Sequence, residues 1–478
     1  MSQPPHLPLP GPILFARGHD EAGVRLGLVT TTPEDAEAPE IEVPLGEASA
    51  PEQFYARFGA AVWGAELTLP VHPDAAYWVD GTRHAVQTEL DGDCRVAFLS
   101  CNGQEKGEDG WDEEHRATMW RRLLAEHKAS PLALLLQGGD QLYADQVKFC
   151  HPEIARWAKT RTRRRHEIEL TREMADTAER WLFHRYLAVH AMPAATRLHA
   201  EVPSVMIWDD HDIFDGWGSH PEPVQESPVG QGLFRAACRM FCMFQMGRPP
   251  AAQAGPAGFL QTLRMPGFPV VVPDLRSGRT PHRVMTQEGW AAFEAALDAL
   301  PPGEPLILVS SVPALGPRLS WLEAAMKFVP RAQKYEDDLR DQWQSRWHRE
   351  EWRRLLRLLE REVDERGRPV TVVSGEIHLA TRGEMRTSGG GVLHQLVASG
   401  IAHPAAPGGW ARALGLLARF GEAPLRGRPI SLHPVPGRRG IYTRERNYLL
   451  LIRESGQWHA VWETEDAGPS AALALTAA

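Results

Sequence analysis

The chain has 478 residues, 43% of them hydrophobic and 24% charged, which fits folded protein and excludes a disordered, collagen-like or coiled-coil chain. Lys and Arg number 52 against 61 Asp and Glu, so the net charge is −9, which argues against a general nucleic-acid partner but not against a small anionic substrate. Five cysteines, an odd number without a Cys-x-x-Cys pair, point to a reducing compartment rather than a disulfide framework or zinc knuckle.

Residues 1–90 read as a β-rich N-terminal domain: short alternating runs such as Val24–Val29 and Ala65–Leu69 separated by turn residues, with one helical stretch at Pro51–Trp63. From residue 91 to 465 strands alternate with helices, the rhythm of α/β layering. Arg95–Leu99 and Leu132–Leu136 are apolar strands around a helix at Glu113–His127. A helix at Thr171–His190, a strand at Ser204–Trp208 and a helix at Gln231–Met246 follow. Then come a strand at Phe268–Val272, a helix at Gln287–Ala299, a strand at Leu306–Ser310 and a long charged helix at Tyr335–Arg366. Thr371–Ser374 is a further strand, and Gly383–Val397 and Tyr448–Trp462 have hairpin character. Residues 466–478 are small and simple in composition and read as a flexible tail. The N-terminus lacks a basic head before an apolar run, and no run of about 18 apolar residues occurs, so the expectation is a cytoplasmic protein without a membrane span.

Four strands end in residues suited to metal ligation. Ser100-Cys101-Asn102 follows the first, Gly138-Gly139-Asp140-Gln141-Leu142-Tyr143 the second, Asp209-Asp210-His211-Asp212 the third, and Ser374-Gly375-Glu376-Ile377-His378 the fourth. In α/β sheets ligands bind beyond the carboxyl ends of strands, so these segments can converge on one crevice. Carboxylate, imidazole, amide oxygen, thiolate and phenolate together are a metal's donor set rather than a packing motif.

With Gly139–Asp145, Trp208–Trp217 and Ser374–His378 in this order, the sequence resembles the PhoD-like alkaline phosphatases, a branch of the calcineurin-like metallophosphatases. The resemblance implies a four-layer α/β/β/α sandwich, two packed mixed sheets flanked by helices, behind a small N-terminal β-rich domain. It further implies a dinuclear site bridged by Asp140, with Cys101, Tyr143 and one carboxylate of the Asp209–Asp210 pair, Asp210 rather than Asp209, on one metal, since neighbours in an extended stretch point to opposite faces, and with Asn102, Glu376 and His378 as candidates for the other. Iron(III) and Ca²⁺ are the metals implied, with Mn²⁺, Mg²⁺ or Zn²⁺ as alternatives. The chain departs from the wider superfamily in having Ser100-Cys101-Asn102 where an Asp-x-His motif is usual, and from the branch in placing Glu376 where Asp is usual.

The expected activity is hydrolysis of a phosphate ester by a metal-activated water, with His211 protonating the leaving group. Monoester and diester substrates, the latter including phospholipase-D-like chemistry, both stay open, as does a non-catalytic metal- or phosphate-binding module. The substrate is a small molecule, lipid or nucleotide ester, with no stable nucleic-acid partner. Asn102, Arg276 and Arg279 are candidates for phosphate contact, the two arginines equally for structural ion pairs. Leu339, Trp343 and Trp347 form a packing stripe on the long helix, whose polar side carries Asp338, Asp341 and His348. The basic run 159–166 reads as a solvated face.

Overall fold

The strand Cys94–Leu99 shows how the architecture arises, because its side chains divide by parity. Val96 and Phe98 enter one apolar cluster and Ala97 and Leu99 another, so both faces are covered. The protein is described from a computed structural model over residues 7–103, 113–317, 341–375 and 377–475. Cys94–Leu99, Leu134–Gly138 and Ser204–Ile207 run parallel at the centre of the first sheet. On one side the antiparallel pair Asn447–Glu454 and Gln457–Thr464 extends it. On the other, Ile13–Asp20 joins Ser204–Ile207 in parallel, followed by Gly23–Pro33 and Ala60–Leu69.

The second sheet places Phe268–Val272, Leu306–Ser310, Val370–Ser374 and Val392–Val397 in parallel, with antiparallel strands at both edges. Val270, Val272, Ile307, Val309 and Val373 share the cluster that contains Val96 and Phe98. Val271, Leu306, Leu308 and Val372 instead pack with Trp290 and Phe293 of the helix Gln287–Asp298 and Trp352 and Leu356 of the helix Arg349–Asp364. On the far face of the first sheet, Ala97 and Leu135 cluster with Trp120 and Leu123 of Thr118–Ala129 and Leu198 of Pro193–Glu201. Burying each such side chain stabilises by roughly 1.5–3 kcal/mol at most. The fold is thus mixed α/β with large mixed sheets and helices.

Side-chain caps set where the helices begin. Thr171 accepts from Met174 N at 3.2 Å to start Arg172–His190, and Ser227, followed by Pro228, starts Pro228–Phe244.

The structure differs from the sequence reading in three places. Pro51–Trp63, expected as a helix, forms the hairpin Glu52–Arg57 with Ala60–Leu69, turning at Phe58 and Gly59 with φ of 61° and 91°. The N-terminal strands divide: Ile13–Asp20, hydrogen-bonded to Ser204–Ile207, belongs to the first sheet with Gly23–Pro33 and Ala60–Leu69, while Ile41–Glu42, Ala76–Val79 and Thr82–Ala85 form a small sheet of their own. In the expected tail, Gly468–Pro469 and Leu473–Leu475 pair with Gln457–Thr464. Of the long charged helix, residues 318–340, with Asp338 and Leu339, lie outside the described residues, and the helix after them runs over Arg349–Asp364.

One core group makes stability sensitive to acid. His190 is buried with neither ring nitrogen hydrogen-bonded among the described residues, and burial pushes its pKa down to about 4. The unfolded chain titrates it near the ordinary 6.5. Stability from this group is therefore full above about pH 6.5 and falls as pH drops towards 4, by up to about 3 kcal/mol. Urea midpoints measured at pH 7.5, 5.5 and 4.5 are expected to fall less steeply in His190→Phe than in the native chain.

Candidate metal centre

Backbone geometry marks the site before any side chain does. Among the described residues only six non-glycine residues have positive φ, and three are Cys101 at 54°, Asp140 at 55° and His378 at 51°. Each lies just beyond a strand end, where a costly conformation persists only because the surroundings impose it. The loops are stitched together: Cys101 N–H donates to Gly139 O at 3.1 Å, and Asn102 N–H to Asp140 O at 2.8 Å. At Gly139, φ is 103° and an added Cβ would stand 2.8 Å from Asp209 Cβ, so only glycine lets the Asp140 and Asp209 loops approach this closely.

Asp140 is at the centre, 1% exposed. Its Oδ2 is 3.5 Å from Cys101 Sγ, and its Oδ1 has no hydrogen-bond partner among the described residues. Cys101, Asp140 and His378 offer ligand atoms within 4.8 Å of one another, and so do Asp140, Asp209 and Asp210. Asp140 thus belongs to two ligand groups at once. A third group, Asp210, His211 and Asp215, adjoins them. Tyr143 O–H lies 2.9 Å from His378 Nε2.

Electrostatics give the same indication. Burial first, and then the neighbouring carboxylates, push Asp140 well above the ordinary carboxylate range, and burial likewise raises Asp209 and Asp210. Three crowded, buried carboxylates with orphan oxygens at Asp140 Oδ1 and Asp209 Oδ2 are the environment that bound cations neutralise. A thiol, an imidazole and a phenol alongside them complete a donor set that fits metal ions.

The other residues singled out from the sequence fall into place as follows. Asn102 Oδ1 accepts from Trp120 Nε1 at 2.7 Å, which anchors it to the helix Thr118–Ala129. His211 Nδ1 is 2.8 Å from Asp145 Oδ2, and its ring stacks on Tyr143 at 4.3 Å. Burial opposes a charge on His211, but Asp145, Asp210 and Asp140 together hold it well above the ordinary imidazole range. Arg276 is fully buried and serves carboxylates rather than an open phosphate pocket: Asp209, Asp341 at 3.0 Å and Asp210 at 3.6 Å. Arg279 is buried against Asp341, with His348 Nδ1 3.4 Å away. For both arginines the ion-pair alternative describes these contacts. Glu376 lies outside the described residues. Trp343 is buried, whereas Trp347 of the same stripe is exposed. In the basic run, Arg165 packs over Trp157 and bonds to Thr160 O and Ala158 O, and Arg164 pairs with Glu167.

Four residues important to the site were missed from the sequence. Asp212 accepts from the backbone N–H groups of Asp140 at 3.0 Å, Leu142 at 2.9 Å and Asp209 at 2.8 Å, and from Gln245 Nε2 at 2.8 Å. One carboxylate therefore fixes two ligand loops. Asp145 orients His211. Ser399 accepts from His378 N–H at 2.9 Å with its Oγ 3.1 Å from Cys101 Sγ, and the His403 ring stacks 3.7 Å from that of His378. Ser399 and His403 follow Val392–Val397, a fifth strand end whose Ser-Gly-Ile-Ala-His was the available signal. Asp212→Ala is expected to keep the fold but lower metal affinity about 10–100-fold, the usual cost of removing a residue that orients ligands. Metal titration followed by calorimetry checks this.

Comparison with known proteins then narrows the identity. Residues 100–249 match the family model of the PhoD related phosphatases. An uncharacterized protein of Saccharomyces cerevisiae, YGR266W, is 23% identical over 393 residues, 67% of this chain, and the match spans 56% of that protein's length. The solved structure of PhoD aligns over 99% of this chain and 90% of its own at a TM-score of 0.61, with 13% identity. Over this shared fold, the segment that carries Cys101, Asp140, Tyr143, Asp209, Asp210 and His211 is the one that matches the PhoD related phosphatases.

Proposed function

We propose that the protein is a metal-dependent hydrolase of phosphate esters that works at the Asp140 centre. The observation that carries this reading is the position of Asp140 in two ligand groups at once, Cys101 with His378 and Asp209 with Asp210. Cys101 and His378, with Tyr143 beside them, would hold one cation and Asp209 and Asp210 the other, Asp140 being shared between the two groups. Thiolate and phenolate suit iron, and oxygen donors suit a harder ion such as calcium. Bound cations supply Lewis-acid charge to the phosphoryl oxygens and bring a water's pKa to about 7.

The chain's own residues do the rest. Asp145 takes His211 Nδ1, which leaves Nε2 to hand a proton to the departing alkoxide. Asp212 and Arg276 hold the carboxylate loops in register. The side-chain clusters on both faces of the two sheets support a helix–sheet–sheet–helix order of layers. None of the five cysteines is in a disulfide, which supports a reducing, cytoplasmic setting, and among the described residues no helix is long and apolar enough to cross a membrane.

Elemental analysis of the purified protein, followed by turnover of p-nitrophenyl phosphate against bis(p-nitrophenyl) phosphate, tests the reading. Bound metal with turnover of either ester is expected, and the preferred ester assigns the substrate class. A metal-loaded protein inert to both would instead be a binding module.

A further inference from the structure

Among the described residues, the two most exposed large apolar side chains stand one helical turn apart: Leu416 is 59% and Phe420 63% exposed. Leu416 is in the helix Gly408–Ala418, and the bond from Phe420 N–H to Leu417 O at 3.0 Å carries the winding one turn further. Exposed apolar residues are ordinary when scattered singly, whereas a pair four apart makes a face. By spacing, exposed Ala413 and Arg412 lie on the same side of the helix, and exposed Arg419 borders it. The opposite side is already packed, with Leu414 and Ala418 against Leu379, Ala406 and Tyr442.

The segment around this face is basic. Residues 404–444 hold seven Arg and no Lys against one acid, Glu422, in a chain of net charge −9. Glu422 is buried and pairs with Arg349 at 3.0 Å. Arg412, Arg419 and Arg444 are exposed with no ion pair among the described residues, and Arg444 reaches the start of the helix, where a Cβ on Gly408 would meet its Nη2 neighbour Nη1 at 3.1 Å. The same segment is stitched to the metal centre. His403 N–H donates to Cys101 O at 3.1 Å and Ala406 N–H to His378 O at 3.3 Å, while Ala380 and Thr443 exchange backbone bonds at 2.9 and 2.8 Å. The exposed face is therefore held at a fixed place beside the centre.

We infer that this face docks on an anionic lipid bilayer, with Leu416 and Phe420 entering the boundary of the acyl chains and Arg412, Arg419 and Arg444 among the headgroups. A bilayer interface presents anions and hydrocarbon side by side, the pairing this face displays. Nucleic acid would meet the arginines but leave Leu416 and Phe420 in water, and a second copy docking through the same face would set arginine against arginine. The remainder of the chain, more acidic than the whole, is repelled by the same headgroups, which sets the orientation. At 11 residues the helix lies on the bilayer and does not span it. Docking in this way holds the Asp140 centre close to the lipid surface.

Flotation of the full chain with vesicles of phosphatidylcholine containing about one-third phosphatidylserine, against phosphatidylcholine alone, at about 0.1 M salt tests it. Binding to the anionic vesicles is expected, and at least about tenfold weaker binding to the neutral ones. The charge pair Arg412→Gln, Arg419→Gln and the apolar pair Leu416→Gln, Phe420→Gln should each lower partitioning about tenfold or more, with near-native Tm because all four positions are exposed. A native chain that ignores anionic vesicles overturns the proposal. So does binding lost in the charge pair but intact in the apolar pair, which would mark a general polyanion site, with retention of duplex DNA as its sign. Self-association in sedimentation that the apolar pair abolishes, without vesicle binding, would assign the face to a second copy instead. Turnover of the water-soluble p-nitrophenyl phosphate should be the same in the native chain and both variants, so docking stands or falls apart from the hydrolase reading.

Discussion

Asp140→Asn is expected to lower kcat/KM by about three orders of magnitude or more and to strip the centre of metal, while the folded protein becomes more stable once metal is removed. The first part follows from the shared carboxylate: an amide keeps the shape but loses the charge that two cations would divide, which is worth several kcal/mol in the transition state. The backbone offers no obstacle, since Asn tolerates the left-handed conformation at φ 55° as Asp does. The stability gain has an electrostatic origin. Asp140, Asp209 and Asp210 are buried together, and each is pushed above the ordinary carboxylate range. Removing one charge from that group should raise metal-free stability by about 1–2 kcal/mol, the familiar exchange of function for stability. Thermal unfolding with and without a chelator, alongside elemental analysis, checks both signs. A metal-free variant less stable than the native chain would mean that Asp140 works mainly as a structural acceptor.

Arg276→Met is expected to be the most damaging single change for the fold, at about 3–5 kcal/mol. Arg276 is fully buried and faces Asp209, Asp210 and Asp341, so its removal strands up to three carboxylates out of water. Asp274 positions it, taking the N–H groups of Arg276 at 2.9 Å and Ser277 at 3.0 Å and the Trp208 indole at 3.1 Å. Lysine should not rescue, because one ammonium cannot reach carboxylates arranged around the three nitrogens of a planar fork. Adding Asp209→Asn and Asp341→Asn to Arg276→Met should restore much of the loss in urea unfolding. If the triple variant is no more stable than the single one, the damage is lost packing rather than unpaired charge.

Much of the cluster was legible because its residues follow strands, and an apolar run that ends in Asp, Cys or His is a local signal. Cys101, Asp140, Tyr143, Asp209, Asp210 and His378 are brought together from gaps of dozens of residues because parallel strands present all their carboxyl ends on one side. What stayed hidden acts through space. Asp212 could be read as one more acid in a motif, yet its function is to accept three backbone N–H groups from two loops. Arg276 could be given a phosphate because its sequence neighbours do not include the carboxylates that claim it. The misread helix at 51–63 has a similar cause. Its apolar spacing suits either period, and tertiary contacts decide: Tyr55 packs 5.1 Å from Phe183 and its O–H reaches Glu179, fixing the extended form.

The order of strands in the first sheet also governs how the protein is made. Cys94–Leu99, which leads to Cys101, has Leu134–Gly138 on one flank and Asn447–Glu454 on the other. At ribosomal rates of about 5–20 residues per second, tens of seconds separate synthesis of the strand from synthesis of its second neighbour. For that interval the nascent polypeptide carries an apolar strand with one edge bare, a surface that invites chaperones or self-association. Asn447, at the start of the late strand, also grips the Ser399 backbone at 3.1 Å and 2.8 Å. Cys101 therefore acquires its full surroundings only after Asn447 has been synthesised, about 350 residues after Cys101 itself.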